Sequence, residues 1–314
     1  MGLFKKKTVT KTYDKENKDG DGTFAESKTP TALIPHSPAS PSIVSYVAME
    51  KIGLAMPYYR QEFLMNQLGF TLPRETMANW IIYVAENYFY PIYERLHEEL
   101  LKRDLVHADE TTCQVLREKG RTAEQTSYMW LYTTGSDALT PIVLYDYQPS
   151  RKGSCAQNFL EGFRGLVQCD GYQGYNKLGK AVNYAQNHHD TLMNYLLDGR
   201  CEISNNRAER KAKSYAIGRK AFLFHTSEIG AGASEVMYSI VETAKANNLN
   251  IFQYLYTVLL YMPDYMNSSA GIEQLMPWSE FIKEQCSGLI DVESNVPEKE
   301  FPCRIGSRGS ESKW

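Results

Sequence analysis

Residues 105–109 read Leu-Val-His-Ala-Asp, and residues 165–170 read Gly-Leu-Val-Gln-Cys-Asp. Each stretch is a short apolar run that ends at an aspartate, and short runs of this kind are typical of buried strands. Two runs between them, at 128–133 and 141–147, are rich in aromatic and β-branched residues and predict two more strands. A helix fits residues 154–160. The chain is therefore expected to form strand, strand, strand, helix and strand in that order.

This order predicts an α/β fold built on a ribonuclease-H-like mixed sheet. In such a sheet the first and the fourth strand lie side by side and run parallel. That pairing would bring Asp109 and Asp170 together, although they lie far apart along the chain. After the sheet, the spacing of apolar residues predicts helices at 180–197, 205–215, 231–247 and 251–261.

A third acidic residue, Glu209, comes early in the helix predicted at 205–215. Carboxylates that are brought together repel each other, and burial raises their pKa values, so a fold that gathers them usually holds a cation. Mg²⁺ prefers carboxylate and phosphate oxygens. Two such ions about 4 Å apart can hold the attacking and the leaving oxygen of a phosphoryl transfer. The pattern favours chemistry on nucleic-acid strands, although an aspartate at a strand end or in an Asp-Gly turn is also common for ordinary reasons.

The composition limits the class of protein. The 314 residues carry a net charge of −3, so any DNA affinity has to come from local basic patches. Six cysteines are scattered without a Cys-x-x-Cys pair, which argues against a zinc knuckle or a secreted disulfide framework and favours a reducing cytoplasm. No apolar run reaches the length of a membrane span, so no membrane partner is expected.

The segment before the sheet divides into two parts. Residues 1–41 are polar and interrupted by prolines, which predicts a flexible arm. Residues 42–102 show helical periodicity, with Ser42 as the expected N-cap of the first helix. The catalytic sheet and its helices are expected to occupy 103–262, and residues 263–314 are expected to be a poorly structured tail.

Within the helical region, a helix near 58–68, a turn at Gly69 and a helix that opens near Pro73 resemble a helix-turn-helix. In that motif, early residues of the second helix face the edges of DNA bases, and here they would be Arg74, Thr76 and Asn79. Many helical hairpins share this pattern without touching DNA, so both readings stay open.

A second candidate DNA-binding surface surrounds Glu209. Six cationic residues lie within 207–220, where Glu209 is the only acidic residue, and this density favours a surface that faces phosphates. A solvated helix with surface salt bridges is the alternative interpretation. The six cationic residues are Arg207, Arg210, Lys211, Lys213, Arg219 and Lys220.

Several segments in a fixed order resemble transposases of the insertion-sequence 66 family, and the resemblance covers roughly residues 30–262. It implies an Asp-Asp-Glu triad at Asp109, Asp170 and Glu209 that holds two Mg²⁺ or Mn²⁺ ions. It also implies double-stranded DNA, as transposon ends and target, and a homo-oligomer assembled on that DNA. The matching segments are 34–37, 58–62, 72–80, 107–111, 163–165, 169–175, 202–210, 217–220 and 242–247.

The chain departs from the family pattern in two places. Family members usually carry a cysteine-rich zinc-binding segment and a leader region before the first matching segment, and neither is expected here. In addition, residues 174–178 run directly into 179–184, which in relatives lies well downstream. We therefore expect an internal deletion between residues 178 and 179 that removes the fifth strand and exposes the edge of the sheet.

The sequence leaves three functions open. The first is a transposase that cleaves phosphodiester bonds at transposon ends and joins the freed 3′ hydroxyl to target DNA. The second is a DNA-binding remnant without a working metal site. The third is a general metal-dependent nuclease with no preference for terminal repeats.

Overall fold

The computed structural model of this chain describes residues 13–15, 23–25, 32–169, 204–266 and 268–287. Two short strands, β1 (Tyr13–Lys15) and β2 (Thr23–Ala25), pair antiparallel near the N-terminus. Four helices follow, and π-helical turns extend the first (Met49–Gly53) and join the last two (Ala85–Phe89). The helices are α1 (Pro41–Ala48), α2 (Tyr58–Gln67), α3 (Arg74–Val84) and α4 (Tyr90–Leu100).

The remaining elements build the sheet and the helices that pack against it. The strands are β3 (Leu105–Arg117), β4 (Thr126–Thr134), β5 (Val143–Gln148), β6 (Leu166–Gln168) and β7 (His225–Ser227). The helices are α5 (Gly153–Phe159), α6 (Asn206–Phe222), α7 (Glu228–Ala246), α8 (Ile251–Tyr265), α9 (Ser269–Gln274) and α10 (Glu280–Cys286).

The five strands form one mixed sheet with helices on both sides. Its order is β5-β4-β3-β6, and β7 pairs with the far end of β3. The pairs β3–β4 and β4–β5 are antiparallel, whereas β3–β6 is parallel. The predicted parallel pairing of the first and fourth strands of the sheet is therefore confirmed. The strand β7 was not predicted, because its three residues His-Thr-Ser contain no apolar run.

Helix α7 covers the edge of β5 that does not pair with β4. Positions four apart on a helix rise by about 6 Å, and positions two apart on a strand by about 6.7 Å, so one helix face can match the donors of a strand edge. Such cover blocks pairing between sheet edges of different molecules. The backbone N–H groups of Val143, Tyr145 and Tyr147 donate to Thr243 Oγ1, Ser239 Oγ and Glu235 Oε2 at 3.0, 2.8 and 3.0 Å.

Aromatic side chains fill both sides of the sheet. On one side, the ring of Tyr132 stacks on Phe159 of α5 at 4.1 Å between centroids. On the other side, Tyr145 of β5 packs against Tyr215 of α6 and Tyr238 of α7, with centroid distances of 6.2 and 5.7 Å. Because side chains alternate along a strand, neighbouring residues of β3 face opposite layers.

The predicted flexible arm is ordered over its last residues. Leu33, Ile34 and Ala39 are buried in the same hydrophobic core as the helices, and Tyr88 Oη donates to the carbonyl oxygen of Leu33 at 2.7 Å. The first helix also begins earlier than predicted. Its N-cap is Ser40 rather than Ser42, because Ser40 has an extended backbone and its hydroxyl accepts from the N–H group of the third residue after it.

The prediction of a poorly structured tail is wrong for residues 263–287. Helix α8 continues through Pro263, and α9 and α10 follow with serine N-caps at Ser268 and Ser279. Leu275, Met276 and Ile282 are completely buried and join the core. Residues 288–314, the helix predicted at 180–197 and the predicted junction at 178 and 179 lie outside the described residues. In the described part of the chain, no helix is both long and apolar enough to cross a membrane.

Candidate functional site

Helix α6 lies along the edge of β3 that faces away from β4. Within the described residues, this edge pairs with strands only at its two ends, with β6 at 105–107 and with β7 at 115–117. Between these two ends, side chains of α6 and of the residue before it donate hydrogen bonds to the backbone of β3. Asn205 Nδ2, just before the helix, donates to the carbonyl oxygen of Ala108 at 2.9 Å, and Arg219 donates to the carbonyl oxygen of Thr112. Both carbonyls point to the same edge, so hydrogen bonds to the backbone align α6 with β3.

A second hydrogen bond attaches the start of α6 to β6. Gln168 Nε2 donates to the carbonyl oxygen of Ser204 at 3.2 Å. Residues 204 and 205 therefore contact both parallel strands at the point where these strands lead to Asp109 and Asp170. Asp170 itself lies outside the described residues. Sequence reasoning missed the positioning roles of Gln168 and Asn205, because a bond from a side chain to a distant backbone carbonyl leaves no periodic signal.

Asp109 is half-buried on the face of β3 that α6 covers. It lies opposite Leu131, which in turn lies opposite Tyr145, and residues in register share one face of the sheet. Tyr145 Oη donates to the carbonyl oxygen of Lys211 in α6 at 2.7 Å, so the face that carries Tyr145 and Asp109 is the one that α6 covers. Asp109 Oδ1 accepts from its neighbour's N–H group at 2.8 Å. That neighbour, Glu110, faces the opposite layer, where it forms an ion pair with Arg151.

Glu209 is exposed in the first turn of α6. Its N–H group donates to the carbonyl oxygen of Asn205 at 3.1 Å, so it stands one helical turn, or about 6 Å, beyond the residue that contacts Ala108. The structure thus brings the region of Asp109 and the region of Glu209 to one side of the sheet. No group of three or more potential metal ligands occurs among the described residues, from which Asp170 is missing.

The six cationic residues around Glu209 fall into two groups. Three contact the protein: Lys211 pairs with buried Glu242 at 3.3 Å, Arg207 donates to Ser136 Oγ, and Arg219 donates to Thr112. The other three are exposed, and the turn of about 100° per helical residue places them within one sector of the helix. We call them the outer basic face, which consists of Arg210, Lys213 and Lys220.

The helix-turn-helix pattern corresponds to α2, a turn in which Gly69 has a φ of +79°, and α3. Arg74 and Asn79 are exposed, and Thr76 is half-buried. The three residues do not form one surface. Arg74 lines a cleft between α3 and residues 221–234, whereas Thr76 and Asn79 are not part of its lining.

Two buried ionisable groups, Asp146 and His225, and the half-buried Glu235 have shifted pKa values. Burial raises the pKa of Asp146 in β5, and burial together with the charge of Asp146 raises the pKa of Glu235 in α7. Burial lowers the pKa of His225 to about 3, with a smaller contribution from Lys51. The ring of His225 is therefore neutral at physiological pH, and its Nε2 lies 2.8 Å from Tyr215 Oη.

Together, the fold and the site define a mixed α/β protein whose central strand carries an acidic residue beside an exposed basic helix. Residues 36–180 and 176–233 match the model of the IS66 family of transposases, and residues 239–278 match the model of the IS66 C-terminal element. The chain therefore belongs to the IS66 transposase family. The family model matches in two pieces that overlap at residues 176–180.

Three similar proteins come from Sinorhizobium fredii. The uncharacterized protein y4qI is 22% identical over 85% of this chain and 67% of its own length. The uncharacterized proteins y4jD and y4hP are 21% and 18% identical over 81% of this chain, which corresponds to 68% and 65% of their lengths. The alignment with y4qI runs over 367 positions, whereas this chain has 314 residues, so y4qI carries residues that have no counterpart here.

Proposed function

We propose that this chain is a DNA transposase of the Asp-Asp-Glu type, with a ribonuclease-H-like sheet and with Asp109, Asp170 and Glu209 as its acidic site. The observation that supports this most directly is the attachment of residues 204 and 205 to both β3 and β6. This attachment holds the start of the Glu209 helix beside the strands that precede the two aspartates. Its substrates would be transposon ends and target DNA, and it would act as a homo-oligomer assembled on them.

The residues fit a site for divalent cations. Asp109 is half-buried and Glu209 is exposed, so both acidic residues are in part accessible to solvent. Asp109, Asp170 and Glu209 would hold two Mg²⁺ or Mn²⁺ ions. When bound, such ions activate the attacking hydroxyl and stabilise the charge of the leaving oxygen.

The other residues of the site have separate tasks. The outer basic face of α6 would bind the phosphate backbone of the DNA. Arg219 and Lys211 would act indirectly, because their contacts with Thr112 and Glu242 hold α6 against the sheet. Arg74, Thr76 and Asn79 would contact DNA at the start of α3, from two different sides of that helix.

The test is cleavage of DNA that carries the terminal repeats of the element. The full chain should nick this DNA with Mg²⁺ or Mn²⁺ and not with EDTA. Asp109→Asn and Glu209→Gln should abolish cleavage and leave DNA binding intact. Glu284→Gln, which changes an exposed carboxylate in α10, is the matched control. Cleavage by Asp109→Asn at the parental rate would refute the assignment, and cleavage without preference for the repeats would indicate a general nuclease.

The two-piece family match favours a second candidate function, a DNA-binding remnant without catalysis. Such a remnant would bind DNA with strong dependence on salt and would not cut it with any divalent ion. A site that holds cations should raise the melting temperature when Mg²⁺ or Mn²⁺ is added, because a ligand that binds only the folded state stabilises it. The remnant predicts no shift, and it predicts equal melting temperatures for the parent and Glu209→Gln in Mn²⁺.

A further inference from the structure

The turn between α6 and β7 has a strained backbone. Leu223 has a φ of 69° and a ψ of −52°, and the N–H group of Phe224 donates to the carbonyl oxygen of Phe222 at 2.9 Å. These values define a γ-turn of the rare hand, which is unfavourable for a bulky L-residue. Strain of this kind persists where the surrounding structure enforces it, and it is concentrated at functional sites. Here α6 on one side and the pairing of β7 with β3 on the other enforce it.

The strained turn presents apolar side chains to solvent. Leu223 is 64% exposed and Phe224 is 40% exposed. Leu223 also separates two clefts, since it lines both of them. One cleft, of about 380 Å³, is polar and includes Thr112, Gln125 and Arg219. A leucine side chain that projects between two clefts has the form of a wedge.

The second cleft, of about 570 Å³, combines aromatic rings with cations. Lys51 Nζ lies 4.0 Å from the ring centroid of Phe222 and 4.8 Å from that of Tyr58, and Tyr59 is 50% exposed. Arg74 lies at the cleft, at the start of α3. The exposed rings of Tyr59 and Phe224 can stack on any base, and the exposed guanidinium of Arg74 complements a phosphate. The lining therefore suits a nucleotide of a DNA strand better than a neutral apolar peptide.

The cleft lies between the two surfaces that the proposed function assigns to DNA. Arg74 belongs to the start of α3, and Phe222 is the last residue of α6, two positions after Lys220 of the outer basic face. A strand that follows the outer basic face of α6 toward its C-terminal end would therefore meet Leu223. Apolar side chains inserted between base steps unstack DNA and kink it, and a base out of the stack is stabilised by aromatic side chains.

We propose that Leu223 enters the base stack of bound DNA and that the aromatic cleft beside it receives the unstacked base. This inference rests on the proposed function, because it takes DNA as the ligand. It assigns a role to the turn at residues 222–224 that is separate from the acidic site, so each can fail without the other.

The test uses short duplexes of the terminal repeat that carry 2-aminopurine at successive positions, because the fluorescence of this base rises when it leaves the stack. The full chain should raise the fluorescence at one position. Leu223→Gly should abolish the rise, and because glycine tolerates a positive φ, this variant should fold as well as the parent. Phe224→Ala should weaken DNA binding, measured by anisotropy, by about fivefold or more. Leu139→Ala, which changes a leucine that is 60% exposed and lines neither cleft, should match the parent.

Two outcomes would overturn this inference while the proposed function stands: no rise at any position under saturating DNA, or an equal rise with Leu223→Gly. Sedimentation that shows a dimer broken by Leu223→Gly, without any change in fluorescence, would assign the turn to contact between copies instead. Failure of the proposed function has a different signature, because DNA cleavage would be absent or indifferent to Glu209→Gln while the fluorescence rise remained.

Discussion

The side-chain amide of Asn205 donates a hydrogen bond of 2.9 Å to the carbonyl oxygen of Ala108. Ala108 directly precedes Asp109, and Asn205 lies one helical turn before Glu209. A single hydrogen bond therefore connects the two chain segments that carry the described acids of the proposed site. Because the acceptor is a backbone atom of a central strand, the position of the helix follows the position of the sheet.

Replacing Asn205 by alanine should lower stability and cleavage together. The lost hydrogen bond should reduce the free energy of unfolding by about 1 to 2 kcal/mol in urea denaturation. The rate of cleavage should fall by more than the smaller fraction of folded protein explains, because the first turn of α6 is no longer fixed beside Asp109. Asn206→Ala, at the exposed neighbouring position, is the control. If the two variants lose the same stability and activity, the contact with Ala108 has no positioning role.

The two groups of cations on α6 should respond differently to mutation. Lys213→Ala and Lys220→Ala should each weaken DNA binding for every sequence and reduce the slope of log affinity against log salt by about one, because each removes one phosphate contact. Lys211→Ala should instead lower the melting temperature, since it leaves the buried carboxylate of Glu242 with one ion pair fewer. Salt titrations and thermal denaturation measure the two effects. Equal salt slopes for the parent and Lys213→Ala would exclude this lysine from the DNA interface.

Asp146 and Glu235 should make stability fall between acid and neutral pH. The pKa values of Asp146 and Glu235 are raised, so the folded protein keeps protons that the unfolded chain releases near pH 4. The folded state then binds more protons than the unfolded state, and the free energy of unfolding decreases as pH rises above about 4. Asp146→Asn should flatten this decrease in denaturant titrations at several pH values. Asp264→Asn, at an exposed position, should keep the parental slope, and a parental slope in Asp146→Asn would contradict the prediction.

Replacing Lys51 by methionine should stabilise the fold at neutral pH. Lys51 is 7% exposed, and burial lowers its pKa from 10.5 to about 8. Below pH 8 the folded protein has to hold a poorly solvated ammonium group, so its removal should raise the free energy of unfolding by about 1 to 3 kcal/mol. The unfolded chain keeps this proton up to about pH 10.5, so parental stability should rise between these pH values and the gain should shrink. A gain that is independent of pH would show that packing alone causes it.

The sequence predicts most of the sheet and only part of its surroundings. The strands β3 to β6 were found because each carries an apolar or β-branched run, and the parallel partner of β3 followed from their order. The tail was missed for a physical reason. Pro263 suggests a helix end, yet α8 continues through it, and the serines that start α9 and α10 follow weak apolar signals.

The candidate site was predicted as a set of residues but not as an arrangement. The order of the strands, together with a helix that packs back on the sheet, is enough to predict that Asp109 and Glu209 lie on one side of the sheet. To tell which cations of α6 contact the protein and which are exposed, one has to know which face of the helix packs on β3. The run of Arg and Lys residues shows no apolar stripe that would mark this face. The turn at Leu223 could not be predicted, because its positive φ is imposed by the elements on both sides and not by its own residues.

Two helices of this protein contact strands through polar groups that meet the peptide backbone, α7 along β5 and α6 along β3. Peptide groups are the same at every position, whatever side chain they carry. Related proteins can therefore exchange many of the strand residues during evolution while the helices keep their alignment. The geometry of the proposed acidic site would then outlast the similarity of the sequences around it.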